Sequence, residues 1–294
     1  MKYVFIVNPI SGGGKGLSAG KAIEEYCREL HLDYKIYYTL KSGDATRFAS
    51  LHQDKNTIIY SVGGDGTLNE VVNGIAKSNA MLSVVPVGSG NDFYKSLQGE
   101  DYSAVDLCKV NEKYFVNIAS LGIDAEVANA ANELKSKNFP SSMVYILGII
   151  KTLFSFKKID VQSGGETEPL TLLAICNGKY YGGGFKIMPD AKLDDGKFGI
   201  CKVPRLSKIY LLNVLRKLIN GTHTSDNHVM ISSSDEIQML SQIPLICNVD
   251  GEIIKDTHFS FSLQKQGLKI RQNEELGINK MLYLKKILKL GTSD

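Results

Sequence analysis

A chain of 294 residues has material for two domains, each able to bury a core of its own. Its 43% hydrophobic and 22% charged residues are ordinary for a globular protein, and a net charge of +3 without a basic stripe of interleaved aromatics argues against nucleic acid as a partner. Cys27, Cys108, Cys176, Cys201 and Cys247 are scattered and form no CxxC pair, so neither a disulfide framework nor a zinc site is suggested, and reduced core thiols in a cytoplasmic protein are the better reading.

The chain opens on a short apolar strand, residues 3–7, rather than on a signal peptide. Ala19, Ala22, Ile23, Tyr26, Cys27 and Leu30 then recur at helical spacing. Residues 34–39 read as a second strand and 44–51 as a helix opened by an acidic cap. Strands at 57–62 and 81–86 follow, with helices at 67–77 and from Asp92 to Leu97. Repeated βα units imply a Rossmann-like parallel sheet, with any ligand at the carboxyl ends of its strands. Beyond residue 104 the pattern changes to short strands: a hairpin at 105–110 and 114–118, then 159–162, 170–176, 198–203, 228–232, 236–240, 245–249, 258–263 and 268–271. Helical patterns interrupt at 127–135, 142–156 and 206–219, and return at 283–290. The expected fold class is α/β plus all-β. An α/β domain spans 1–104 with 277–294, and an antiparallel β-sandwich domain spans 105–276. The longest uncharged apolar run, 143–150, is far short of the roughly 20 residues that span a bilayer, so membrane contact is expected to be peripheral.

Three loops follow three of the four early strands: Asn8-Pro9-Ile10-Ser11-Gly12-Gly13-Gly14, Gly63-Gly64-Asp65-Gly66-Thr67 and Gly88-Ser89-Gly90-Asn91-Asp92. Glycine lets backbone N–H groups turn toward an anion, and a helix N-terminus beyond each loop adds a favourable dipole. One such loop is usually only a turn; three at one sheet edge suggest a polyphosphate cradle. Gly14-Lys15 is followed by Gly16, so this is not a Walker A motif, and no GxGxxG opens these helices. Asp65 would repel bare phosphates, so it implies an intervening Mg²⁺ or a role in proton transfer.

Gly63-Gly64-Asp65-Gly66-Thr67-Leu68-Asn69-Glu70 resembles the signature of the diacylglycerol kinase catalytic domain, in a superfamily with NAD kinases, sphingosine kinases and phosphofructokinases. The Asn8-Pro9 loop, Pro86 to Phe93, Pro189 to Gly196 and Asp250-Gly251-Glu252 resemble further motifs of that family, in the expected order. The likeness is greatest to the soluble bacterial lipid kinases. It implies ATP bound between the two domains and touching Asn8, Pro9, Ile10, Ser11, Gly12, Thr39, Gly64, Asp65, Gly66, Thr67, Leu68, Asn69, Glu70 and Ser89. It also implies a structural Mg²⁺ held by Asp195 and the carbonyls of Lys192 and Lys197, with Asp194 joining a network with Asp65; an ordinary Asp-Gly turn is the alternative. Glu252 becomes the expected proton acceptor and Asp250 its orienting neighbour, since a spacing of two puts both on one face if the strand continues.

The acceptor so implied is diacylglycerol or a similar lipid; sphingosine, a polyprenol and NAD stay open, as does a silent nucleotide-binding regulator. A homodimer also stays open. His31, His52, His223, His228 and His258 share no pattern with a thiol or carboxylate. Gly182-Gly183-Gly184 reads as a turn, and Tyr180 and Tyr181 as packing residues. The late strip Ile278, Met281, Leu282, Tyr283, Ile287 and Leu288, with its lysines, either packs on the first domain or touches anionic membrane.

Overall fold

The computed structural model describes residues 1–122, 159–272, 276–285 and 287–288. The expected helices at 127–135 and 142–156 lie outside them. The chain divides into two compact units, Met1–Val105 with Gln266–Asp294, and Asp106–Lys265.

In the first unit β1 (Lys2–Val7), β2 (Tyr34–Tyr38), β3 (Thr57–Gly63) and β4 (Met81–Pro86) form a parallel sheet in the order β2-β1-β3-β4. Val4 to Val7 of β1 are fully buried, as befits a strand covered on both faces. The ends align: Val7 pairs with Tyr38 and Val62, and Val62 with Val85, so all four strands deliver their loops at one edge. The helices between them are α1 (Ser11–Glu29), α2 (Asp44–Ser50), α3 (Asp65–Ile75) and α4 (Asp92–Leu97). The cap expected of Asp44 is absent. Gly43 is the N-cap, and the Asp44 carboxylate instead accepts from the Leu40 and Lys41 amides upstream.

The second unit is built on a nine-stranded sheet, antiparallel and sandwich-like. Its strands are β5 (Ala104–Val110), β6 (Lys113–Phe115), β7 (Ile118–Gly122), β8 (Ile159–Ser163), β9 (Glu166–Cys176), β12 (Phe198–Pro204), β13 (Met230–Ser234), β14 (Glu236–Val249) and β15 (Glu252–Lys269). Two short strands, β10 (Tyr180–Tyr181) and β11 (Phe185–Lys186), make a separate ribbon. Gly122 lies opposite Leu172 and Ile159 opposite Leu170, so β7 and β8 follow one another in one lane beside β9. The strands expected at 236–240 and 245–249 are one strand, β14, whose register shifts between Leu240 and Leu245. Pro244 lies in that shift, where a residue without an N–H interrupts a ladder. The strands expected at 258–263 and 268–271 likewise merge into β15. A helix among the described residues, α5 (Lys208–Ile219), is capped by Ser207, whose hydroxyl accepts from the Tyr210 amide at 3.3 Å. All five cysteines are buried, and none forms a disulfide.

The late helix is α6 (Ile278–Leu284), earlier than the 283–290 expected. Ile278 and Leu282 are fully buried in the first unit's core with Phe5, Ile23 and Tyr60. The strip is therefore a packing surface. The first unit takes the chain back from Gln266, not from 277, because Ile270 already bridges Leu82 in parallel and the Gln272 side chain donates to the Leu97 and Glu100 carbonyls.

Candidate functional site

The three glycine loops meet at the carboxyl edge of the parallel sheet, and they meet because they lack side chains. A Cβ on Gly12 would lie 2.1 Å from the Val87 carbonyl oxygen, and one on Gly88 would lie 2.3 Å from the Gly64 Cα. The Val87 and Gly88 amides both donate to the Gly63 carbonyl at 3.1 Å. Asn8 ties the first loop to the second: its Nδ2 donates to Thr67 Oγ1 at 3.1 Å, and its Oδ1 accepts from the Ile10 amide at 3.2 Å. Gly12, Gly13 and Gly14 are all left-handed, at φ +61°, +70° and +95°. A Cβ on Gly13, Gly14 or Gly66 would meet nothing within 4 Å, so open space faces these residues. These three glycines break α1 near its start. The Gly14 amide already donates to the Ile10 carbonyl at 3.3 Å, and glycine amides such as those of Gly12 and Gly13, where a helix begins, are of the kind that donate to phosphate oxygens.

Asp65 stands in this cradle on the first turn of α3, half-buried, with Oδ1 accepting from the Phe93 amide at 3.4 Å. Ser89 is exposed on the third loop, and Thr39 extends the ladder of β2 by donating to the Val7 carbonyl at 2.9 Å. Pro9 and Ile10 lie in the first loop, Ile10 exposed, and Ser11 opens α1.

Three more residues expected at the nucleotide also have partners within the protein. Leu68 and Asn69 are buried in α3, where Asn69 accepts from Asn73. The Glu70 carboxylate accepts from the Ala45 amide at 3.0 Å and from Ser42, so it caps α2. A further residue, Asn91, holds the third loop closed from a left-handed backbone at φ +54°. Its Nδ2 donates to the Pro86 and Gly88 carbonyls at 3.2 and 2.8 Å, and its Oδ1 is buried without a partner. Its place inside a glycine loop, where Asn is the side chain best suited to φ > 0, was the available signal.

The acidic residues of the second unit separate into different roles. Asp250 and Gly251 form a two-residue turn with Val249 paired to Glu252, both at positive φ, +49° and +96°. The strand therefore does not continue through this motif, and the two acids do not share a strand face. The Asp250 carboxylate is buried and accepts three backbone N–H bonds, from Val116 at 2.9 Å, Asn117 at 3.2 Å and Ile118 at 2.7 Å. Its task is to hold the passage from β6 to β7. Glu252 is half-buried and forms an ion pair with Lys113 at 3.2 Å.

The Asp194-Asp195-Gly196 turn is anchored by a residue that sequence reasoning passed over. Asp106 on β5 is fully buried; its amide donates to the Leu193 carbonyl and its Oδ2 accepts from the Gly196 amide, each at 2.6 Å. Asn177 supports it by donating to the Asp106 and Val116 carbonyls. Burial pushes the Cys108 thiol well above its usual range, and the negative charges of Asp250 and Asp106 push it further. Asp195 Oδ1 accepts from the Lys197 amide at 3.1 Å, while Lys192, Asp194, Asp195 and Lys197 are all exposed. No group of three or more His, Cys, Asp or Glu suited to a metal occurs among the described residues. One carboxylate with backbone oxygens is nevertheless a hard-oxygen donor set of the kind Mg²⁺ takes.

Residues 2–121 match the model of the diacylglycerol kinase catalytic domain, and residues 117–271 match that of the YegS C-terminal NAD kinase beta sandwich-like domain. A diacylglycerol kinase of Staphylococcus saprophyticus is 32% identical over 240 residues, covering 74% of this chain and 77% of its own. One of Staphylococcus aureus is 33% identical over 237 residues, covering 74% and 75%. A solved diacylglycerol kinase of Bacillus anthracis superposes with a TM-score of 0.72 at 22% identity, covering 92% of this chain and 97% of that one, which bears on the fold alone. With the ordered motifs, the parallel glycine cradle and the sandwich-like second unit all in place, the chain belongs to the diacylglycerol kinase family.

Proposed function

We propose that this protein transfers the γ-phosphoryl group of ATP to the hydroxyl of diacylglycerol, giving phosphatidic acid, in a Mg²⁺-dependent reaction of phospholipid metabolism. The observation that carries the reading is the convergence of three glycine loops around Asp65, with open space facing Gly13, Gly14 and Gly66. Family membership supports a lipid alcohol as the acceptor.

When bound, Mg·ATP supplies the transferable phosphoryl group with its charge partly neutralised. The amides of Gly12 and Gly13 in the first loop and those of the first turn of α3 are the donors suited to its phosphate oxygens. Asp65 offers a carboxylate where a cation, not a bare phosphate, is the fitting neighbour. Glu252 is the residue we assign to accept the hydroxyl proton, with Lys113 restraining its carboxylate. Asp250 acts as a positioning residue by fixing the turn that carries Glu252. Asp195 and the carbonyls of Lys192 and Lys197 would hold a structural Mg²⁺, and Asp106 keeps that turn in shape.

The test is radiolabel transfer from ATP to diacylglycerol in mixed micelles, beside NAD, sphingosine and a polyprenol. Labelled phosphatidic acid, abolished in Asp65→Ala at an unchanged unfolding midpoint, is the expected result. Transfer to NAD or to another lipid alcohol alone would replace the acceptor, and near-normal turnover in Asp65→Ala would remove that residue from the mechanism. Among the described residues no helix is long and apolar enough to cross a membrane, so the lipid acceptor would be reached by peripheral contact.

A further inference from the structure

α5 carries apolar residues on two faces. Tyr210, Leu211, Val214 and Leu218 pack on a core that includes Ala174, Cys201 and Val203, and this face accounts for the helix docking where it does. The other face has no such account. Ile209, Leu212 and Ile219 are 83%, 42% and 48% exposed. With exposed Arg216 they recur at helical intervals, so they line one side of the helix as a continuous outward stripe. Nothing in the folding of the unit requires that stripe, and aliphatic side chains gathered on a surface mark a place of contact.

Along the chain, the segment that bears the stripe has charges of one sign. Between residues 204 and 225 the chain has Arg205, Lys208, Arg216 and Lys217 and no Asp or Glu. The next carboxylate, Asp226, has a side chain only 1% exposed and is bound to Lys217 at 2.7 Å, to the Tyr210 hydroxyl at 3.1 Å and to the His228 amide at 3.0 Å. The acid thus faces inward and pins the inner side of α5, while Arg205 and Arg216 stay exposed. A basic helix with a fixed orientation and an outward aliphatic stripe is the pattern of an interfacial membrane helix.

We propose that the outer face of α5 is a docking surface for an anionic lipid bilayer. Ile209, Leu212 and Ile219 enter the boundary between headgroups and acyl chains, and Arg205 and Arg216 meet lipid phosphates. The biological use of this surface rests on the lipid-kinase reading, since the acceptor lies in a bilayer; its physical basis does not.

The experiment compares the full chain with Ile209→Ser/Leu212→Ser/Ile219→Ser and with Arg205→Glu/Arg216→Glu. Sedimentation is measured with phosphatidylcholine vesicles, with and without phosphatidylglycerol, at low and high salt. Unfolding midpoints and turnover of a short-chain, water-dispersed diacylglycerol are measured beside it. The wild-type chain should bind the phosphatidylglycerol vesicles and be released by salt. Each variant should lose about tenfold or more in affinity while keeping the wild-type midpoint and short-chain turnover. Wild-type vesicle binding in the variants would overturn the proposal, as would a midpoint lowered as by a core substitution. Self-association of the wild type that these substitutions abolish, without vesicle binding, would assign the face to a second copy of the chain. If the wild-type chain binds vesicles but never phosphorylates the dispersed substrate, the lipid-kinase reading fails and the docking surface stands.

Discussion

Asp250 and Glu252 stand two residues apart and differ in what their removal should cost. Asp250 accepts three amides in a buried position, so Asp250→Ala strands those donors and should lower stability by about 3 kcal/mol or more, read in urea unfolding. Glu252→Gln loses only a half-exposed ion pair, an interaction of about 0–1 kcal/mol, so its unfolding curve should stay near wild type. Its kcat should fall about 10²-fold or more if it is the proton acceptor. Equal kcat in Glu252→Gln and wild type would move the base elsewhere. The motif was legible in the sequence, but the division of labour was not. Reading Asp250-Gly251-Glu252 as extended strand put both acids on one face; the left-handed backbone of Asp250 and Gly251 turns the chain between them. Asp106 was invisible for a related reason. Its partner Gly196 lies 90 residues away, and nothing local marks a strand aspartate as the clamp on a distant turn.

At the scale of elements, apolar runs and helical spacing located the strands and helices of the first unit, because buried parallel strands leave a continuous signal. They did not show that the loops touch. That contact is written in absent side chains, as where Gly64 and Gly88 approach. The glycines should therefore differ when substituted. Gly12→Ala drives a methyl group toward the Val87 carbonyl and should destabilise the unit. Gly13→Ala meets no protein atom within 4 Å, so it should cost only the left-handed backbone penalty, about 1–2 kcal/mol, while raising the KM for ATP by blocking the cradle. Unchanged ATP affinity in Gly13→Ala would take the phosphates away from this loop. The tether of α5 makes a prediction about acid. The Lys217 side chain, aided by the His228 amide, holds the Asp226 carboxyl far below the usual carboxylate range. A folded-state value below the unfolded one stabilises the protein above about pH 4, and that stabilisation is lost as pH falls from there toward the folded value. Asp226→Asn should therefore be less stable than wild type at pH 7, with the gap shrinking below pH 4. A gap independent of pH would show that ionisation is not what the tether uses.

At the scale of the molecule, the chain leaves the first unit near Val105 and re-enters it at Gln266. The first unit is completed only by its last segment, where Ile278 and Leu282 are fully buried, Tyr26 donates to the Leu276 carbonyl at 3.0 Å and Asn279 to Val84 at 3.1 Å. Leu282→Ala should cost about 2–5 kcal/mol although it lies far along the chain from the sheet it supports. A loss below 1 kcal/mol would mean that α6 is an ornament on a finished core. That the late helical segment returned to the first domain was expected from the family resemblance. The point of re-entry was not legible, because residues 268–271 read as more strand and the partners of Ile270 and Gln272, which are Leu82, Leu97 and Glu100, lie in the first hundred residues.

The burial of every cysteine gives the two units separate clocks. Cys27 lies in the first unit and Cys108, Cys176, Cys201 and Cys247 in the second. All five are shielded from an alkylating reagent by burial, and burial also raises the Cys27 thiol to about 11 and the Cys201 thiol to about 12, so near pH 8 these two are hardly ionised. Labelling must then wait for opening, and the order in which tryptic peptides gain the label reports which unit opens first. A prompt phase of modification in the native protein would contradict the burial. A lag shared by all five sites would show the two units unfolding as one.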